Sequence, residues 1–465
     1  MKETTSYRDS RTTNWVWLLL ACTLTIPAIA IAGSSQTLLP ENGTEESRHS
    51  ETIEDGCSMF GPSSGSQADL AAQPSSHLLI GIVPSRHADL EQTIAGYERS
   101  KTPLVAFDGK QFLPAGFTDD PGLYYFVPAM GRIFHTSLDA SISLFYLSIL
   151  AFAFVFGAWG FTLILSGWPS RMIGIGWLLI VAILVYKIGD LYLFEFALPA
   201  VLVPWSLWWV CGQPNRSVAG SGLFLFASGS LVATAQFLRL SAGPPAIAFT
   251  VILLLFRLHA SPKWRLAGLS LLLAGFLLPC AYFGHLASQR DQFLVNRSAE
   301  FAMDSSRHHF WHSAYMGLGF LRNDYVQGSC DDFNKEKVRT ISPTAGYLSR
   351  DYDRILEREA LATVRQHPLF ALFTFASKLG IVATIVIVFA NFGLLLIKRR
   401  SRALQITLWA PLLVSAIPLL IVLPLKLYFV GVIAYSTMLG ILAALRLAPW
   451  VDSMQAGAHH DLRHA

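Results

Sequence analysis

The sequence predicts an all-α polytopic membrane protein with about ten transmembrane helices and two extracytoplasmic segments, the first a small α/β unit and the second mostly helical. Three observations lead there. The 465 residues are 53% hydrophobic and only 14% charged, where soluble domains carry roughly 25% charged residues. Apolar runs of near-spanning length recur along the chain. The basic residues fall between those runs in alternation.

A hydrocarbon core about 30 Å thick needs roughly 20 mostly apolar residues per helix. The candidate spans are 15–32, 141–165, 172–186, 191–211, 218–238, 245–258, 266–285, 369–397, 404–425 and 427–445. Runs 172–186 and 245–258 are short, and read as untilted or partly re-entrant. With Lys2, Arg8 and Arg11 in the cytoplasm, each inner loop is basic: Arg171, then Arg216, then Lys263 and Arg265, then Lys398, Arg399, Arg400 and Arg402, and finally Arg446. This fits the positive-inside rule and puts both termini in the cytoplasm, with a bacterial cytoplasmic (inner) membrane as the expected location. The run at 15–32 is longer than a usual signal-peptide core and reads as an uncleaved anchor.

The chain therefore divides into a signal-anchor helix (1–33), a flexible linker rich in Ser, Gly, Glu and Pro (34–76), a first extracytoplasmic domain (77–139), a six-helix membrane block (140–285), a second extracytoplasmic domain (286–368), a three-helix membrane block (369–447) and a cytoplasmic tail (448–465). In the first domain, 78–83 and 104–107 read as strands and 88–99 as a helix. In the second, 353–367 reads as an amphipathic helix at the interface, with Leu356, Ala360, Leu361 and Val364 on its apolar face and Pro368 opening the next span.

A net charge of +4 gives no reason to expect nucleic acid. The five cysteines match no zinc pattern; Cys57 and Cys330 both fall outside, where they either pair or remain free thiols. Nucleotide-binding, G-x-S-x-G and H-E-x-x-H motifs are missing from the sequence.

Three groups of residues carry chemistry. Asp119 and Asp120 precede the second span, with Pro-Gly and two tyrosines directly after them. Adjacent carboxylates at a membrane face suit a general base or a divalent cation (Mg or Mn), with Asp120 as the metal ligand. The same residues also read as a turn whose aspartates cap the next segment. The second group is Arg307-His308-His309-Phe310-Trp311-His312-Ser313-Ala314-Tyr315, continuing through Arg322, Asn323, Asp331 and Asp332. Aromatic faces suit sugars, and arginine with histidine suits phosphate; an interfacial aromatic belt is the other reading, and the histidine spacing matches no familiar metal motif. The third group is Lys187, Asp190, Glu195 and Arg239 near the outer span ends. Lys187 and Asp190 read as an ion pair, Glu195 sits further in, and Arg239 either snorkels or meets a lipid phosphate.

Thr118-Asp-Asp-Pro-Gly-Leu-Tyr-Tyr125, the run from Trp311 to Tyr325 with Asp331-Asp332 after it, and the stretch 352–378 with His367-Pro-Leu-Phe before a span resemble segments of the GT-C class of integral-membrane glycosyltransferases. The resemblance implies transfer of a sugar from a polyprenyl-phosphate carrier to an envelope glycan or lipid acceptor. It implies Asp119 or Asp120 as the base, His309, His312 and Arg322 at the donor phosphate, and Trp311, Tyr315, Asn323, Asp331 and Asp332 at sugar. The alternative reading is a non-catalytic, polymerase-type or export-type subunit handling lipid-linked polysaccharide.

Overall fold

The computed structural model describes residues 84–115, 120–165, 167–188, 192–211, 218–256, 261–297, 310–326, 328–329, 331–347, 349–391, 393–397 and 402–444. The expected anchor at 15–32, the linker, the strand at 78–83, Asp119, Asp190, His309, Cys57, Cys330 and the C-terminal tail lie outside these residues.

The described chain is helical except for one small hairpin. Helix α1 (Pro84–Ser100) leads to an antiparallel pair, β1 (Val105–Phe107) and β2 (Phe112–Pro114), joined through the turn at Asp108-Gly109. Asp108 accepts from the backbone N–H groups of Lys110 and Gln111, both at 2.8 Å, and these bonds hold its carboxyl below the usual range. The amphipathic helix α2 (Leu123–Phe134) comes next. It buries Leu123, Tyr124 and Val127 and leaves Ile133 and Phe134 exposed at its end.

The apolar helices are α3 (Leu138–Ile164), α4 (Trp168–Ile188), α5 (Leu193–Cys211), α6 (Val218–Leu238), α7 (Gly243–Leu255) and α8 (Pro262–Val295). After the second polar segment come α12 (Pro368–Ala390), α13 (Gly393–Ile397), α14 (Arg402–Ile421) and α15 (Phe429–Ala444). Among the described residues, seven of these helices are long and apolar enough to cross a membrane, namely α3, α4, α5, α6, α8, α12 and α14. Helices α7 and α15 are apolar but shorter. The chain is an all-α integral membrane protein whose outer helix faces meet lipid.

Several boundaries differ from expectation. Helix α4 begins at Trp168, because Pro169 and Arg171 are accommodated in its first turn, so the run judged short is of full spanning length. Helix α8 has 34 residues, about 50 Å at 1.5 Å per residue. It outruns the hydrocarbon and continues ten residues past the expected end at His285. The run 369–397 is split at Asn391, which takes a left-handed φ of 50° and ends α12.

Helix α5 is the centre of the bundle. It packs against α3, α4, α6, α7 and α15, and 83% of its apolar window is buried. Helices α6 and α8 cross in close backbone contact. A Cβ on Gly275 would lie 2.0 Å from the carbonyl oxygen of Phe226, and one on Gly229 would lie 2.1 Å from that of Leu272. Small residues permit this backbone approach, which is how membrane helices gain packing where lipid is as apolar as leucine.

Between α8 and α12 stand α9 (Phe310–Leu318), α10 (Asp331–Ile341) and α11 (Arg350–Gln366). They build a second core from Tyr315, Val326, Val338, Tyr352, Leu356 and Ala360. Ser349 caps α11, accepting from Tyr352 N–H at 3.2 Å. The buried stripe of α11 runs Tyr352–Leu356–Ala360, while Val364 turns outward. That stripe faces α9 and α10, so the amphipathic pattern serves this core rather than a lipid surface.

Both polar segments stand at the same end of the bundle. An even number of apolar helices, α3 to α8, separates them, and the extended end of α8 reaches the hairpin, where Phe293 meets Phe112 edge-on at 5.1 Å. The α6–α8 crossing yields a direct expectation. Gly275→Leu forces side-chain volume into a backbone contact and lowers stability by about 3 kcal/mol or more. Thermal unfolding of the detergent-purified protein measures this, and Gly284→Leu, where a Cβ meets open space, serves as the tolerated control.

Candidate functional site

The residues that bear chemistry gather where α5, α6, α7 and α15 end or begin beneath the first polar segment. Gly122 N–H donates to the Phe237 carbonyl in the last turn of α6, at 2.9 Å. This bond pins the Asp120–Leu123 turn onto α6, and Leu123 N–H closes the turn on the Asp120 carbonyl at 3.1 Å. Asp120 is thereby buried, 3% exposed. Two residues beyond Phe237 is Arg239, whose guanidinium is within electrostatic reach of both Asp120 and Glu195.

Glu195 occupies the first turn of α5, where the helix dipole favours a negative charge. Its Oε1 accepts from the Ser241 hydroxyl at 2.5 Å, and its Oε2 accepts from Gly431 N–H at 3.1 Å. Gly431 must be glycine for this approach: a Cβ there would lie 2.7 Å from Oε2. Arg239 lies over the Tyr192 ring at 4.0 Å and donates to the Tyr192 hydroxyl. Its Nε is buried with no hydrogen-bond partner among the described residues, as is the Tyr435 hydroxyl, whose ring lies near Glu195. The site thus has one guanidinium, two buried carboxylates and donors still to be satisfied. Sequence reasoning singled out Asp120, Glu195 and Arg239 separately. It missed Tyr192, Ser241 and Gly431, whose only signal is that each adjoins a span end. Lys187 is in α4, and its expected partner Asp190 is outside the described residues.

The His-Trp-His segment builds something else. His312 is buried on α9, 1% exposed. Its Nδ1 is 3.1 Å from the Tyr352 hydroxyl and its Nε2 is 3.0 Å from Asp331 Oδ1. Asn334 donates to the His312 carbonyl at 3.0 Å. Both ring nitrogens are therefore engaged within the protein. Tyr315 is buried in the same core, and its hydroxyl is pushed up to about 12, by burial first and by Glu359 second. The Tyr352 hydroxyl is likewise raised by burial. Trp311 packs half-buried on this core. Asn323 spends its amide on the backbone, donating to Leu321 O at 2.6 Å and accepting from Tyr325 N–H at 2.8 Å and Val326 N–H at 2.7 Å. Asp332 pairs with Lys335 at 3.0 Å on the surface, and Arg322 is exposed. The structure brings His312, Asp331, Tyr315 and Trp311 together, around a second core rather than around Asp120.

Lys378 was also missed. It is 2% exposed within α12, and its Nζ donates to the carbonyls of Val422 at 2.7 Å, Leu420 at 3.3 Å and Ile421 at 3.4 Å. It satisfies the open C-terminal end of α14. A lysine in mid-run is the sequence signal for such a cap.

Among the described residues no three His, Cys, Asp or Glu side chains converge as metal ligands. The charge brought toward Asp120 and Glu195 is the Arg239 guanidinium. No family model, curated protein or solved structure matches the chain.

Two outcomes are expected. Glu195→Ala leaves the Gly431 N–H and the Arg239 guanidinium without their carboxylate and costs about 3 kcal/mol, while Glu195→Gln, which keeps an acceptor, costs less. Thermal unfolding of the two variants measures the difference. His312→Ala removes the imidazole that the buried Tyr352 hydroxyl and Asp331 meet and costs the second core about 2 kcal/mol, read as faster proteolysis within 310–366 while the membrane helices stay protected.

Proposed function

We propose that this chain is a glycosyltransferase of the inner membrane, moving a sugar from a polyprenyl-phosphate carrier to an envelope glycan or lipid acceptor on the extracytoplasmic side. The observation that carries the reading is the approach of a buried carboxylate, Asp120, to the Arg239 guanidinium, whose Nε is buried, at the mouth of an apolar helix bundle. Transfer from a lipid phosphate needs those two groups at that depth.

The chemistry balances on this chain's own residues. The acceptor oxygen attacks the anomeric carbon as the bond from that carbon to the phosphate oxygen breaks. The polyprenyl phosphate leaves with the bonding electrons, and Asp120 takes the acceptor proton. Arg239 faces the charge that grows on the departing phosphate, in a site where water does not screen it. Glu195, Ser241 and Tyr192 hold the guanidinium in place. Arg239 takes over the phosphate role that the sequence suggested for His309, His312 and Arg322, since His312 is committed to Asp331 and Tyr352. Asp119, one residue before Asp120, is the other carboxylate to test, and no step is routed through a divalent cation.

Purified protein is assayed for turnover of polyprenyl-phosphate sugars, with donor binding measured in parallel. Asp120→Asn is expected to lower kcat by roughly 100-fold or more with donor binding retained. Arg239→Gln weakens donor binding and turnover together, and Asp119→Asn reports whether the neighbouring carboxylate is the base instead. A folded wild type that turns over no donor, or full activity in all three variants, sinks the reading.

A further inference from the structure

A cavity of about 230 Å³ opens between α1 and α2, away from the Asp120–Arg239 pair. Its walls include Tyr97 and Lys101 from α1 and its cap, Tyr125 and Arg132 from α2, and Leu286 from α8. None of its lining residues is acidic. Arg132 lies over the Tyr97 ring at 4.4 Å, and the Lys101 ammonium is 6.0 Å from the same ring. Lys101 is set by the end of α1: its N–H donates to the Tyr97 carbonyl at 2.8 Å, and its φ of 55° turns the chain out of the helix. The Tyr125 hydroxyl is fixed at 2.7 Å from that of Tyr282 on α8, a bond that, with burial, pushes it up to about 12.

Two cations held on one aromatic ring, with no carboxylate in the lining, make a site that lacks its anion. The cavity is below the roughly 300–1,000 Å³ of pockets that enclose a whole small molecule, so it suits a headgroup rather than an entire lipid. Its depth is set by α2, whose exposed Ile133 and Phe134 come directly after Arg132. An apolar helix end beside an arginine is the arrangement of a segment resting in the headgroup layer.

We propose that this cavity binds a phosphate headgroup, supplied by an anionic phospholipid, and so fastens the first polar segment to the membrane surface. The inference rests only on the membrane assignment and is independent of the transfer reading. Its test uses the full chain, delipidated in neutral detergent and titrated with short-chain phosphatidylglycerol, short-chain phosphatidylcholine and inorganic phosphate, with binding read by thermal shift. Arg132→Gln and Lys101→Gln are each expected to weaken phosphatidylglycerol binding roughly tenfold. Arg132→Lys retains part of the binding, and Lys110→Gln, on the exposed hairpin turn outside the cavity, leaves it unchanged. Both cations are at the surface, so the variants fold, and their unliganded melting temperatures verify this. Inorganic phosphate binding as tightly as the lipid, with the same dependence on Arg132 and Lys101, upholds the phosphate site but assigns it to a soluble anion. Equal binding of phosphatidylglycerol by wild type and both cavity variants, or equal affinity for phosphatidylcholine, overturns the proposal.

Discussion

A carboxylate at the head of the most enclosed helix is the constraint around which the bundle is organised. Helix α5 is surrounded by five others, so Glu195 has neither lipid to avoid nor water to turn to. An unpaired charge there would cost several kcal/mol. Its partners come from three other stretches of chain: Ser241 from the turn between α6 and α7, Gly431 from the first turn of α15, and Arg239 from the end of α6. Each partner fixes where a helix must end or begin. Arg239 then draws in Tyr192 from below and Asp120 from above. The helix ends are level with one another because these few polar groups require it, and the apolar faces between them pack in whatever way that level allows.

The second polar segment obeys a separate rule. It has too little apolar surface to rest on the bundle alone, so it folds around His312, with Asp331, Asn334 and Tyr352 gathered on the imidazole and Leu356 and Ala360 beneath. Its attachment to the membrane helices runs through α9. A Cβ on Gly317 would lie 1.9 Å from the Ile421 carbonyl, so α9 approaches the end of α14 backbone to backbone. Lys378 Nζ donates to the same carbonyls, close beside Gly317. An open helix end inside an apolar setting thus becomes the docking point of a polar domain.

How much of the molecule was legible depends on the kind of constraint each element obeys. Seven of the expected spans were readable because the bilayer imposes length and apolarity on each helix separately, a local property. Helix α11 and its Pro368 boundary were readable from periodicity and the proline, though its Ser349 cap and first turn were not. The extension of α8 was not, since hydropathy falls past His285 while the backbone stays helical to reach the hairpin. At the site, Glu195, Arg239 and Asp120 were conspicuous as charges near span ends. That Arg239 lies within electrostatic reach of the other two was not, because the three positions are 44 to 119 residues apart and come together only on folding. The His-Trp-His segment misled for the opposite reason: its composition suits a ligand, but its spacing puts His312 on the inner face of α9 and spends its nitrogens on the fold.

Each polar cluster keeps a buried side-chain atom with no hydrogen-bond partner among the described residues, Asn334 Oδ1 beside His312 and Arg239 Nε near Glu195. Around His312 both ring nitrogens have partners within the protein, so the imidazole itself is not offered to a phosphate. Around Arg239 the guanidinium is held by the ring and hydroxyl of Tyr192, with two carboxylates within electrostatic reach, yet its Nε is still a buried donor with no acceptor among the described residues. A buried donor of that kind costs roughly 1–3 kcal/mol, which a fold tolerates when a ligand or an ordered water supplies the acceptor. Asp120 is buried within electrostatic reach of the guanidinium. A guanidinium with a buried donor still open, and a buried carboxylate within its electrostatic reach, is the arrangement on which the proposed transfer site at the bundle mouth rests.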